Sequence, residues 1–128
     1  MAINTTSQIL RDGARNLVMQ FTGIADGPGQ ETNALKVDVS ELSPLAATVA
    51  VERIDYAISG GEVDLAWDAD VPVIFATLSG QGCFDYCRVS GLQNNVADAN
   101  RTGDILLSTR GFDLDSSYTV TLSMIKRY

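Results

Sequence analysis

No segment of 11 or more residues spaces its apolar side chains at the 3.6-residue period of an amphipathic helix. Stretch after stretch instead alternates apolar and polar residues with period two. Such a chain buries its apolar residues only as strands whose alternate side chains face one core. Residues 15–22 set Leu17, Met19 and Phe21 against Asn16, Val18, Gln20 and Thr22. Residues 31–40 are predicted to turn Leu35, Val37 and Val39 inward and Lys36, Asp38 and Ser40 toward water. At the end of the chain, Tyr118, Val120, Leu122 and Met124 face in while Thr119, Thr121 and Ser123 face out. Shorter strands are predicted over 73–78, 82–89 and 105–108, with Pro72 opening the first, where its missing N–H matters least. Single helical turns fit only within 40–49 and 93–99.

Turn chemistry divides these strands. Asp12-Gly13, the Asp26-Gly27-Pro28-Gly29 cluster and Asp68-Ala69-Asp70 are turns, and the Gly-, Asn- and Asp-rich residues 90–103 are a loop. The first two alternating runs are predicted to pair as a hairpin or meander. Between 48 and 59 the apolar parity changes, from Val49 and Val51 to Ile54, Tyr56 and Ile58. That change near Glu52-Arg53 signals a bulge or a strand passing between sheets. Gly60-Gly61 is predicted to close a hairpin joining 48–59 to 62–67. Residues 1–11 read as a polar arm, ordered only where something docks it, ahead of one domain over 12–128. The expected fold is all-β: an antiparallel β-sandwich or jelly-roll-like barrel with an extended N-terminal arm, burying Phe21, Trp67, Phe75 and Leu122 between its sheets.

Composition narrows the function. With 128 residues, 45% of them apolar, the chain is long enough for an ordinary core without disulfide or metal staples. Its net charge of −7 argues against nucleic acid and anionic membrane surfaces as partners. Arg11, Arg15, Lys126 and Arg127 make at most small basic patches. The opening MAINTTSQIL lacks the basic start and long apolar run of a secretory signal, which points to synthesis in a cytoplasm.

The chemistry is sparse. The absence of histidine removes Ser-His-Asp and Cys-His nucleophile systems and histidine metal sites, and there is no phosphate-binding glycine loop. Cys83 and Cys87 would lie ~13 Å apart on one strand, too far for a bond unless the chain turns between them. The expectation is two buried or half-buried thiols, with a tight-loop disulfide as the alternative. The pairs Asp68/Asp70 and Asp113/Asp115 flank turns, where Asp side chains bond nearby N–H groups; a cation or acid–base role is the lesser reading. Trp67 and Tyr118 fall on inward parities, which leaves Tyr86 and Tyr128 as exposed aromatic candidates. No catalytic residue, cofactor or metal is expected.

From residue 11 onward the chain reads RDGARNLVMQFTG, DGPGQETNALKVDVSEL, VERIDYAISGGEVDLAWDAD, SGLQNNVADANRTGDILLSTRGF and SSYTVTLSMIKRY. No phrase is diagnostic alone, but in this order and spacing they resemble a family of small virion structural proteins of tailed bacteriophages. The resemblance implies binding between capsid-protein subunits, as a cement or decoration protein does; the acidic balance suits the capsid exterior, with assembly in the host cytoplasm and the major capsid protein as partner. Closed symmetry favours a homo-oligomer, dimer or trimer. The predicted contact residues are Ile3, Ile9, Leu10 and Arg11 in the arm, then Lys126, Arg127 and Tyr128 in the tail. A neck, tail or baseplate component is the alternative within the same particle. A carbohydrate-binding module using Trp67, Tyr86 or Asp68/Asp70 is the alternative outside it.

Overall fold

The computed structural model describes residues 3–25, 31–39, 48–69, 72–86, 91–92, 103–113 and 115–127. The turn at 26–29, the candidate helical turns within 40–47 and 93–99, and Asp70, Cys87 and Tyr128 lie outside them. The fold is all-β and antiparallel. Its seven strands are β1 (Ile3–Asp12), β2 (Asn16–Ala25), β3 (Ala34–Val37), β4 (Thr48–Trp67), β5 (Val73–Asp85), β6 (Ile105–Arg110) and β7 (Ser117–Arg127). They form one sheet in the order β1-β2-β7-β4-β6-β3, with β5 along the other side of β4.

One bend makes this sheet a barrel-like sandwich. β4 does not turn back at Gly60-Gly61 as predicted; it continues as a single strand of 20 residues. Its first half pairs with β7, ending at Ser59↔Ser117, and its second half pairs with β6, beginning at Glu62↔Arg110. On its other side it forms a long hairpin with β5, in which Gly80 spans the same corner. Gly60 and Gly80 both have positive φ, 88° and 67°. Positive φ suits a bend as well as a reversal; the pairing of β4 with β7 before the corner and with β6 after it makes this one a bend. The strand expected at 73–78 and the part of the one expected at 82–89 up to Asp85 are therefore the two arms of one bent β5.

Bending lays the two halves over a common core. The half-sheet β1-β2-β7-β4 contributes Leu17, Phe21, Leu122 and Ile54, and the half-sheet β3-β6-β4 contributes Val37, Leu107, Leu65 and Trp67 to the same apolar cluster. Burial along β2 alternates without a break, as its sequence requires. Phe75 is only partly buried and stacks on Trp67, with ring centroids 4.2 Å apart. Each fully buried side chain of this kind contributes ~1.5–3 kcal/mol relative to exposure. The parity change near Glu52 is a bulge between Val51 and Arg53, which lets both runs of β4 face the core.

Two further expectations are corrected by strand pairing. β2 and β3 are not partners: β2 lies between β1 and β7, and β3 pairs with β6. A bulge at Lys36, between Leu35 and Val37, reverses the predicted faces there, so Leu35 is exposed and the Lys36 side chain is buried. The arm is docked, and what docks it is this chain's own β2.

Candidate functional site

The ionisable groups of the described residues serve mainly to tie strands together. Glu31, just ahead of β3, is buried where it meets β6 and β7. Its N–H donates to Thr109 Oγ1 at 2.9 Å, and its carboxylate accepts from the Tyr118 hydroxyl at 2.5 Å and pairs with Lys36 Nζ at 3.0 Å. Burial and the adjacent carboxylate push the Tyr118 phenol above the ordinary tyrosine range. The Tyr118 ring lies against Gly23, its cross-strand partner, where a Cβ would stand 2.4 Å from a ring carbon.

A second cluster crosses the outer face of the β5-β4-β6 half. Asp64 accepts from Arg110 Nε at 2.7 Å, Arg110 Nη2 at 3.1 Å and the Thr77 hydroxyl at 2.9 Å. Arg110 also reaches Glu62 at 3.1 Å. Burial alone would raise the Asp64 pKa, but hydrogen bonds from Arg110 and Thr77, with the Arg110 charge, outweigh it and hold the carboxyl below its usual value. At the turn before β7 the main chain makes the bonds: Asp113 N–H donates to Ser116 Oγ at 3.0 Å, Ser116 N–H donates to the Asp113 carbonyl at 2.9 Å, and Asp115 N–H donates to the Ala25 carbonyl at 2.9 Å. No group of three or more metal-ligand side chains occurs among the described residues.

The predicted contact residues separate into two sets. Ile9 and Leu10 are 51% and 52% exposed, and Arg11 is exposed beside them. Ile3 opens the same strand, with its side chain outside the described residues. Lys126 overturns the expected basic patch: its side chain is fully buried and bonded to Asp12, so the end of β7 is fastened to the end of β1. Arg127 is paired through its backbone to Thr48, whereas its side chain and Tyr128 lie outside the described residues. Cys83 is an exposed free thiol rather than a buried one. Trp67 and Tyr118 belong to the core, as their parity requires.

What remains accessible among the described residues is sheet face and sheet edge. On the β2-β7-β4-β5 face, registers align Thr22, Thr119, Ala57 and Gln81 in one row and Gln20, Thr121, Asp55 and Cys83 in the next. Two shallow troughs lie along these rows over Ala57, and Asp55, the one carboxylate among their described lining residues, is paired with Arg53 at 3.0 Å. On the other half, Leu35, Leu106, Ala66 and Ile74 line up across four strands, with Leu35 and Ile74 exposed. Sequence reading missed this row because the bulge at Lys36 decides the orientation of Leu35. β1 is exposed on both faces over residues 5–11.

No protein-family model and no curated protein matches the chain. Among solved structures it is similar to a cupin superfamily protein from Desulfitobacterium hafniense DCB-2, at 14% identity and a TM-score of 0.35, over 98% of this chain and 79% of that one. It is also similar to an RmlC-like cupin protein from Desulfovibrio desulfuricans, at 10% identity and a TM-score of 0.29, over 93% of this chain and 81% of that one. Scores of this size assign neither a site nor an activity.

Proposed function

We propose that this chain is a non-enzymatic structural component of a tailed-phage particle, a cement or decoration protein that binds and stabilises the assembled capsid from outside. The observation that carries the reading is how the accessible surface is made. Extended strand edges and small-residue sheet faces are open, whereas the carboxylates and cations of the two main clusters bond each other, Glu31 to Lys36 within one segment and Asp64 and Glu62 to Arg110 across strands. Open edges recruit strands of other chains. The ordered sequence phrases support the same reading, and the net charge of −7 suits a position away from packaged DNA. A protein that binds only the assembled shell stabilises it by mass action, and many modest contacts around a closed lattice add through avidity.

The test is co-sedimentation of the purified protein with undecorated shells and with free major capsid protein. Binding to shells alone, saturating at a copy number matched to the lattice, is expected. Failure to bind shells overturns the cement reading and directs the search to neck, tail or baseplate assemblies.

A further inference from the structure

Three sheet edges have no strand partner among the described residues: β1, β3 and the outer side of β5. Two of them are poor templates for another strand. β3 has four residues and a bulge. β5 is broken by a register shift at Phe75 and by the corner at Gly80. β1 differs. From Ile3 to Ile9 it runs in unbroken register beside β2, without a charge, a proline or a glycine. Only then does a bulge at Leu10, followed by Arg11 and Asp12, interrupt it. Edges of monomeric proteins normally carry such blocks along their length.

The residues of this edge are also self-complementary. Read in either direction from Thr6, positions 3–9 give the same chemical series: Thr6, then Thr5 or Ser7, then Asn4 or Gln8, then Ile3 or Ile9. We propose that β1 pairs antiparallel with β1 of a second copy of this chain about a two-fold axis at Thr6, forming a homodimer through one continuous sheet. In that register Ile3 stands opposite the second copy's Ile9, Asn4 opposite Gln8, and Thr5 opposite Ser7. Residues of like parity meet, so both faces of the sheet continue across the axis; a shift by one residue would join unlike faces. Cross-strand pairs of this kind, apolar with apolar and hydroxyl with hydroxyl, are the unit of sheet stabilisation. An isologous contact requires a self-complementary patch, whereas a strand from an unrelated protein requires no symmetry about Thr6. The bulge at Leu10 ends the pairing where the symmetry ends. The dimer is independent of the particle the chain serves, so the purified chain alone tests it.

The experiment is sedimentation equilibrium of the full chain over a wide concentration range, with thermal melting followed in parallel. The wild-type chain is expected to dimerise reversibly. Thr6→Lys sets two lysines face to face across the axis and is expected to raise the dissociation constant about tenfold with an unchanged monomer fold, because position 6 is exposed. Thr5→Lys/Ser7→Lys is expected to weaken the dimer further, and Thr5→Lys/Ser7→Glu to restore it, because positions 5 and 7 face each other between copies. A chain that stays monomeric at every concentration overturns the proposal, as does a dimer indifferent to Thr6→Lys. So does a charge swap as damaging as the like-charge pair. A monomer whose β1 edge becomes protected only on capsid shells also overturns it and gives the edge to a strand of another protein.

Discussion

Asp64 sits on the outward parity of β4 yet is only 6% exposed, because Arg110 and Thr77 from the flanking strands close over it. Its folded pKa is depressed. Its stabilising contribution is therefore present above the unfolded value near 3.8 and is lost as pH falls through the lower folded value. Asp64→Asn is expected to cost ~1–2 kcal/mol at neutral pH, measured by urea denaturation, because one charge-assisted pair becomes a neutral one. It should also flatten the decline in stability as pH falls below about 4, since the carboxyl whose protonation drives that decline is gone. A variant whose acid sensitivity equals that of the wild type would show that Asp64 is not the group responsible. Neither Asp64 nor Glu31 announces this role in sequence. The Glu31 partners Thr109 and Tyr118 lie 78 and 87 residues away, and no local pattern encodes a partner at that separation.

At the level of elements, the corner in β4 decides the architecture. Gly60 has φ of 88°, and a Cβ there would meet Ser116 Oγ at 2.4 Å. Gly61 needs a bare backbone for another reason: a Cβ there would meet the Phe112 ring at 2.3 Å and the Arg110 carbonyl at 2.6 Å. Gly60→Ala combines a left-handed backbone with a clash and is expected to cost about 3 kcal/mol or more, read as a lowered denaturation midpoint. Gly80→Ala, at the matching corner of β5 with open space around it, bears the backbone strain alone and should cost about 1–2 kcal/mol. Equal losses at the two sites would contradict this account. The Gly-Gly pair was legible as a change of direction, but not as a bend. A hairpin and a corner both need positive φ, and only the pairing of 62–67 with β6 separates them.

Across the whole molecule, β1 is an addition to a core it does not fill. Residues 5–11 are exposed, and the core cluster begins at Leu17. Deleting residues 2–10 should therefore leave a folded, cooperatively melting domain, with Asp12 still present to pair with Lys126. The same deletion should abolish self-association, read by sedimentation. A truncated chain that still dimerises would relocate the interface to a sheet face, where the row from Leu35 to Ile74 is the next apolar surface.

The sequence by itself determined the fold class and most of the core. Period-two alternation is a property of neighbouring residues, and it placed Leu17, Met19 and Phe21, and Tyr118, Val120, Leu122 and Met124, on buried faces before any partner was known. It also marked a change of parity near Glu52 as a bulge or a passage between sheets, and the pairing with β7 shows the bulge, between Val51 and Arg53. Tertiary structure alone decided which strands pair, that Gly60-Gly61 bends rather than reverses, that Lys126 is buried on Asp12 while Leu35 is exposed, and that the arm lies along β2. Each of these depends on residues far apart in the chain meeting across a sheet, and alternation carries no information about which strand a given strand will meet.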